Sequence, residues 1–340
     1  MMKLLLLLLM TLLLEARSWW LLSELSPGLS SFHPSTCLLI PGFNEKQKEI
    51  CTKNADAMNH VVSGLRMAVD ECQKTFSTQL WNCSISARQP QSLQTGSKES
   101  AYVYAIASAG MSHSIAKACS KGEISACSCG PIPSTQTNKY IWAGCSDNVR
   151  YANTFGRKFI DVTDKEQSDA RSLMNLHNNR VGRRLLSNSM KKECKCHGVS
   201  GSCVTKTCWK VVPQFDDFAL KLKEKYDFAQ QAILPDESVE LLLKDPPIVE
   251  GARVGRYLDV DKERNRVPKN DLVYLETSPD YCQKSTRGRE CTNNCRTVCC
   301  GRGWNTVREM VEEPCQCKFI WCCEVECKTC RRLVEKNYCR

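Results

Sequence analysis

Cysteine is the residue type that most constrains the fold of this chain, because it supplies 24 of the 340 residues. A dense and even set of cysteines predicts a disulfide framework, and such frameworks form in oxidising compartments. Twelve cysteines lie between Cys37 and Cys208, twelve lie between Cys282 and Cys339, and the 73 residues between these groups contain none. The sequence therefore predicts two regions of different construction. Zinc binding by a cytosolic protein is the alternative reading of so many thiols.

The N-terminal residues indicate secretion. Lys3 precedes the apolar residues 4–14, and the small residues Ala16 and Ser18 follow as a cleavage site. This apolar run is too short to span a bilayer, and the pattern is typical of a secretory signal peptide. We therefore assign residues 1–18 to a signal peptide, which directs the protein through the endoplasmic reticulum to the extracellular space and matrix.

The charge balance suggests an acidic extracellular partner. The chain has a net charge of +10, and removal of residues 1–18, with Lys3, Arg17 and Glu15, leaves 45 basic and 36 acidic residues. A secreted basic protein attracts polyanions, so heparan sulfate proteoglycans are expected partners and nucleic acid is not. A basic surface that only maintains solubility is the competing interpretation.

Apolar spacing predicts helices in the first cysteine-containing region, which we expect to form a bundle. The predicted helices lie at 50–72, Ala101–Cys119, Arg171–Met190 and Phe215–Ala232. Weak alternation predicts strands at Arg253–Val260 and Asp271–Thr277. We expect one helical domain over residues 19–260 and a linker over residues 261–281.

Residues 282–340 form a predicted cysteine-rich C-terminal domain. A segment of this size buries little apolar surface, so cross-links must supply most of its stability. We expect short strands and long loops there. The fold class predicted for the whole chain is α+β and disulfide-rich, with stapled hairpins added to the helical bundle.

The most specific segment is Cys-Lys-Cys-His-Gly-Val-Ser-Gly-Ser-Cys at residues 194–203, which Cys208 follows. Nested bridges, Cys196 to Cys203 and Cys194 to Cys208, would produce a stapled hairpin whose tip is Gly198–Ser202. Closing the outer loop contributes about 3 kcal/mol in the chain-entropy model. The hydroxyl of Ser200 on such a tip suits modification by another enzyme.

Two other readings of this hairpin concern catalysis and metal binding. The hydrolase elbow requires Gly-x-Ser-x-Gly, and Ser202 occupies its last position here. His197 has no evident acidic partner, so we predict no catalytic residue. Zinc could use Cys194, Cys196, His197 and Cys203, but the signal peptide and the even cysteine count favour disulfides, and we predict no metal site.

Two further features concern modification and partner binding. Asn82-Cys83-Ser84 is an N-glycosylation sequon, which predicts a glycan on Asn82. A bridge between Cys317 and Cys327 could staple a second finger with Phe319, Ile320 and Trp321 at its end. In a domain with so little core, these apolar residues are either the core or an exposed anchor for a partner.

The segment at residues 194–203, with Thr207-Cys208-Trp209, resembles the signature of the Wnt family of secreted signalling proteins. Further matching segments are Trp81–Cys83, Cys127–Gly130, Asn175–Asn179, Leu272–Tyr274, Cys299–Gly303 and Trp321–Cys323. Residues 99–118, 127–133 and 332–339 most resemble the Wnt-eleven branch. The resemblance implies a developmental ligand without enzyme activity, and the branch suggests a β-catenin-independent output in planar polarity or cell movement.

The resemblance also implies a lipid and a set of partners. Ser200 would carry a covalent palmitoleoyl group, added by Porcupine, and no cofactor is implied. Acylated Ser200 and a finger would contact the Frizzled cysteine-rich domain, and the finger residues are Phe319, Trp321, Cys322, Cys323 and Val325. Wntless would carry the protein during export, the lipid would associate with membranes, and co-receptors would be of the LDL-receptor-related, Ror or Ryk type.

The family pattern implies most of the disulfide pairing. The implied bridges are Cys72–Cys83, Cys119–Cys127, Cys129–Cys145, Cys282–Cys300, Cys291–Cys295, Cys299–Cys339, Cys315–Cys330, Cys317–Cys327 and a vicinal Cys322–Cys323 bridge. Cys37 and Cys51 remain as a pair. The chain departs from the family pattern at Arg180, where an acidic residue is usual, at Ile320 and Glu324 in the finger, and in the short Cys291–Cys295 loop.

Two functions of other classes compete with the ligand interpretation. One is a disulfide-rich, heparin-binding matrix protein, which would keep its function after Ser200→Ala. The other is a secreted serine hydrolase using Ser200, which would react with a fluorophosphonate probe.

Overall fold

The computed structural model describes residues 22–23, 32–40, 42–83, 95–133, 140–236, 238–244, 265–283, 286–292, 294–320 and 324–340. The chain divides into two compact units. The first unit comprises Met1–Cys72 and Ile85–Ser278, and the second comprises Gln73–Ser84 and Pro279–Arg340. The predicted signal peptide and the predicted strand Arg253–Val260 lie outside the described residues.

Helices dominate the first unit, as the apolar spacing predicts. Within the described residues, the α-helices that begin in the first unit are α1 (Pro34–Leu39), α2 (Glu45–Lys53), α3 (Ala55–Thr75), α4 (Lys98–Lys121), α5 (Val149–Phe159), α6 (Val162–Lys165), α7 (Ala170–Asn188) and α8 (Phe215–Asp227). Helix α8 ends at Asp227, and Gln230–Ile233 is a strand, so the predicted helical end at Ala232 is wrong. No helix in the described part of the chain is long and apolar enough to cross a membrane.

Helix α4 forms the centre of this bundle, and it is buried along most of its length. Its neighbours approach closely because glycines stand at the crossings. A Cβ atom on Gly182 of α7 would lie 2.0 Å from the carbonyl oxygen of Ala105, and one on Gly64 of α3 would lie 2.4 Å from that of Gly110. Helices α3 and α7 therefore pack against α4 with their backbones nearly in contact.

The strands form three small sheets. They are β1 (Ile141–Trp142), β2 (Lys191–Cys196), β3 (Lys206–Val211), β4 (Gln230–Ile233), β5 (Leu242–Leu243), β6 (Val273–Tyr274), β7 (Glu290–Cys291), β8 (Trp304–Ile320) and β9 (Glu324–Cys339). The strand orders are β1-β3-β2, β5-β4-β6 and β7-β9-β8. Helix α7 holds the second sheet, because the amide of Asn178 exchanges hydrogen bonds with the backbone of Val273 at 2.9 and 3.0 Å.

The second unit consists mainly of one long antiparallel hairpin, β8–β9, with the short helix α9 (Cys295–Val298). Its strands have 17 and 16 residues, so the expectation of short strands is wrong, although the α+β, disulfide-rich class is confirmed. Cross-links form its core, since the buried cluster consists of Val298 and four cysteines: Cys291, Cys295, Cys299 and Cys339. The β8–β9 ribbon has little apolar core of its own. Since an isolated two-stranded hairpin is only marginally stable, its disulfides are needed to stabilise it.

Candidate functional site

The first candidate element is the β2–β3 hairpin, which two disulfides cross-link. Cys194 and Cys208 face each other in the strand register and are bridged, with their Cα atoms 4.0 Å apart. Nearer the tip, Cys196 is bridged to Cys203. Strand β3 also pairs with β1, and its end is fixed by a hydrogen bond from the Val212 amide to the Asp147 carboxylate at 2.9 Å. The hairpin therefore has a fixed base and a cross-linked stem.

The tip is a short 3₁₀ turn, Val199–Gly201. The Gly198 amide donates to the Ser202 carbonyl at 2.8 Å, and the Ser202 amide donates back to the Val199 carbonyl at 3.2 Å. Ser200 has φ 56° and ψ 29°, the left-handed conformation that non-glycine residues rarely adopt. The backbone bonds and the inner disulfide hold Ser200 in this conformation.

Ser200 is exposed at the tip, between two exposed valines. Val199 and Val204 have 90% and 88% of their surfaces accessible. Within the described ranges, no side chain hydrogen-bonds to the Ser200 hydroxyl. The Ser200 hydroxyl is therefore accessible to a modifying enzyme. The exposed side chains of Val199 and Val204 add apolar surface to the same tip.

The geometry does not assemble a hydrolase at this tip. The Nε2 atom of His197 lies 2.7 Å from the Oγ1 atom of Thr207, so the imidazole is bonded across the hairpin and away from Ser200. The zinc reading is also wrong, because its three candidate sulfurs, those of Cys194, Cys196 and Cys203, are consumed by disulfides and cannot act as thiolate ligands.

The second candidate element is the end of the β8–β9 hairpin. Phe319 and Val325 are directly opposite in the register, so their side chains share one face, and they are 71% and 60% exposed. Bridges Cys315–Cys330 and Cys317–Cys327 hold the strands, and the register shifts between Cys315 and Lys318. Phe319 is therefore not a core residue. Trp321, Cys322 and Cys323 lie outside the described residues.

The remaining bridges match the expected pairs, of which Cys37–Cys51 is expected as the two cysteines left over and the others are implied by the resemblance. They are Cys37–Cys51, Cys119–Cys127, Cys129–Cys145, Cys282–Cys300, Cys291–Cys295 and Cys299–Cys339. Cys72 and Cys83 are also disulfide-bonded. Asn82 of the sequon is half-buried, and Ser84 lies outside the described residues.

Comparisons with known proteins agree with the resemblance. The sequence model of the Wnt family matches residues 39–340 of this chain. Protein mom-2 of Caenorhabditis elegans is 48% identical, over 96% of this chain and 94% of mom-2. Wnt-11 of Gallus gallus is 38% identical over 95% and 93% of the two chains, and Wnt-2b of Homo sapiens is 39% identical over 95% and 82%.

A solved structure has the same fold. A chain in the structure of human WLS in complex with WNT8A aligns with a TM-score of 0.61 and 31% identity, over 91% of this chain and 100% of that chain. Wnt proteins are secreted signalling ligands, not enzymes. Because the family match covers nearly the whole chain and relatives exceed one-third identity over most of their length, the chain belongs to the Wnt family.

Proposed function

We propose that this ligand binds the Frizzled cysteine-rich domain through a palmitoleoyl group on Ser200. The observation that carries the proposal is the exposed Ser200 hydroxyl, held in a left-handed turn on a doubly bridged hairpin. A fixed tip loses little conformational entropy when a partner binds it. Porcupine would attach the acyl chain in the endoplasmic reticulum, and the protein requires no cofactor.

The acyl chain would supply most of the binding free energy. Each buried CH₂ contributes about 0.8 kcal/mol, so a sixteen-carbon chain offers on the order of 10 kcal/mol before entropic costs. Val199 and Val204 would extend the apolar contact beside it. The same chain would associate the free protein with membranes, so a carrier is needed during export. The WLS complex of WNT8A supports Wntless in this role.

The end of the β8–β9 hairpin would make a second receptor contact. Phe319 and Val325 expose one apolar face on a cross-linked ribbon, which is the arrangement of an interface anchor. By resemblance, Trp321 and the vicinal Cys322–Cys323 bridge complete this finger. A contiguous apolar face that remains exposed marks an interaction site more often than single exposed apolar residues do.

The remaining assignments rest partly on the sequence patterns and partly on the family. We propose cleavage of residues 1–18, a glycan on Asn82, and residence in the extracellular space and matrix, where heparan sulfate proteoglycans bind the basic chain. The helical domain would continue from residue 19 to Ser278 and the cysteine-rich domain would begin at Pro279, because β6, inside the predicted linker over 261–281, pairs with β4. A co-receptor of the LDL-receptor-related, Ror or Ryk type would join Frizzled. The Wnt-11 relatives support a β-catenin-independent developmental output.

The test compares Ser200→Ala with Ser202→Ala, which alters a neighbouring hydroxyl on the same tip. Mass spectrometry of the peptide from secreting cells should find the acyl group on the wild type and on Ser202→Ala only. Binding to the isolated Frizzled cysteine-rich domain should be lost only in Ser200→Ala. Tight binding by unacylated protein would contradict the proposal and favour the matrix-protein alternative.

A further inference from the structure

A cleft of about 910 Å³ in the first unit lies beside the base of the β2–β3 hairpin. Helices α5 and α7 and strand β3 form its walls. Five exposed cationic side chains line it: Arg150, Arg157, Arg180, Arg184 and Lys210. Arg150 and Arg157 are two turns apart and share one side of α5, and Arg180 and Arg184 are one turn apart and share one side of α7.

Carboxylates do not neutralise these five cations. None of them has an ion pair within the described residues. The one acidic side chain in the lining, Asp147, is buried and accepts hydrogen bonds from the Ser120 hydroxyl at 2.6 Å and the Val212 amide at 2.9 Å. Exposed arginines of the β8–β9 hairpin are paired, as Arg308 is with Glu335 and Arg331 is with Glu312. The cleft is therefore a local concentration of positive charge, which attracts anions.

The lining also contains neutral polar groups, and they join the two helical walls of the cleft. Asn153 of α5 donates to the Ser187 hydroxyl of α7 at 2.8 Å, which joins the two walls. Its Oδ1 atom is buried and has no hydrogen-bond donor. A ligand that carries several anionic groups would accept charge-assisted hydrogen bonds from the guanidinium groups of both walls.

We propose that this cleft binds a sulfated saccharide chain and is the site where a glycosaminoglycan holds the protein. The inference rests on the proposed function, which names heparan sulfate as a partner, and it adds the location. Arginine suits the role because its planar guanidinium binds sulfate oxygens through two parallel hydrogen bonds. Arg180 stands where the family pattern has an acidic residue, so the charge of this cleft distinguishes this chain from that pattern.

Heparin-affinity chromatography of the full secreted protein tests the site. The double variant Arg180→Gln/Arg184→Gln should elute at lower salt, and its slope of log affinity against log salt should fall by about two, by the counterion-release argument for polyanions. The control, Arg331→Gln/Arg332→Gln, removes the same charge from exposed paired arginines and should match the wild type. Equal elution of the two double variants would overturn the assignment.

A second measurement uses the wild type alone, so it does not depend on the folding of a variant. Modification by hydroxyphenylglyoxal, followed by peptide mapping, should show that a heparin oligosaccharide protects Arg150, Arg180 and Arg184 but not Arg331. Equal protection by inorganic phosphate would overturn the saccharide assignment. A wild type that heparin does not retain would overturn the glycan partner in the proposed function as well, whereas retention without protection would overturn only the cleft.

Discussion

Arg183 of α7 donates two hydrogen bonds to the carboxylate of Asp161, at 2.9 and 2.7 Å, and both side chains are almost completely buried. Arg183 also donates to the Ser108 hydroxyl of α4 at 2.7 Å. A buried guanidinium needs such complete pairing, because desolvation makes an unpaired charge costly. The pair therefore fixes α7, the helix that leads into the β2–β3 hairpin, against the turn between α5 and α6, and the bond to Ser108 joins α7 to α4.

Removal of one partner should destabilise the first unit strongly. We expect Asp161→Asn to lower the free energy of unfolding by about 3–5 kcal/mol, because it leaves the Arg183 charge buried without its counter-ion. Denaturant titration of the secreted protein measures the loss. Glu312→Gln breaks an exposed pair with Arg331 and should cost less than about 1 kcal/mol. Equal losses in the two variants would show that burial of the pair does not matter.

The tip glycines should respond differently to substitution. A Cβ atom on Gly198 would lie 2.5 Å from the Ser202 carbonyl oxygen, whereas one on Gly201 meets nothing within 4 Å. Gly198→Ala should therefore open the tip and reduce both the Cys196–Cys203 bridge and acylation of Ser200, as measured by mass spectrometry. Gly201→Ala should cost only about 1–2 kcal/mol for its positive φ. Similar acyl occupancy in both variants would argue against a fixed tip as the substrate for acylation.

Phe319 should contribute to receptor affinity and not to stability. Phe319→Ala should weaken binding to the Frizzled cysteine-rich domain by about tenfold or more, the loss expected of an interface anchor. The melting temperature of the Phe319→Ala variant should equal that of the wild type, because the Phe319 side chain is 71% exposed. Leu333→Ala is the control, since Leu333 is 56% exposed on the same hairpin but far from its end. If Phe319→Ala and Leu333→Ala weakened binding equally, the loss would come from the whole β8–β9 hairpin and not from a contact at its end.

Helical periodicity in the sequence predicted the long helices, because α3, α4 and α7 each direct apolar residues to a common core. It missed α5, whose buried Val149, Ala152, Phe155 and Phe159 carry the signal at helical spacing. Because the sequence did not predict α5, it also did not predict that arginines of α5 and α7 line one cleft. Charge clusters contributed by three separate elements have no signature in a linear sequence.

The stapled tip was predictable and the long ribbon was not. Nested cysteines and adjacent glycines define the β2–β3 hairpin locally, so the sequence predicted its tip at Ser200. In β8 and β9, both faces are largely exposed. Strands without a buried face lack apolar alternation, and only the cross-strand register revealed their length.

The stability of the first unit should fall in acid because of His113. Burial lowers the pKa of His113 to about 4, and its Nε2–H donates to the Pro213 carbonyl at 2.9 Å. The hydrogen bond to Pro213 and the charge of Asp147 oppose the lowering of this pKa, whereas the charge of Lys117 adds to it. In the unfolded chain the pKa of histidine is about 6.5. As the pH falls below 6.5, the unfolded chain therefore takes up a proton that the folded protein refuses.

This difference should reduce the free energy of unfolding between about pH 6.5 and pH 4, by up to about 3 kcal/mol for a shift of this size. Denaturant titrations across this range should show a slope in the wild type that is smaller in His113→Gln, which retains an N–H donor for the Pro213 carbonyl and cannot titrate. His177 and His60 also have lowered pKa values from burial, so part of the slope should remain in the variant. An unchanged slope would mean that His113 becomes protonated without unfolding.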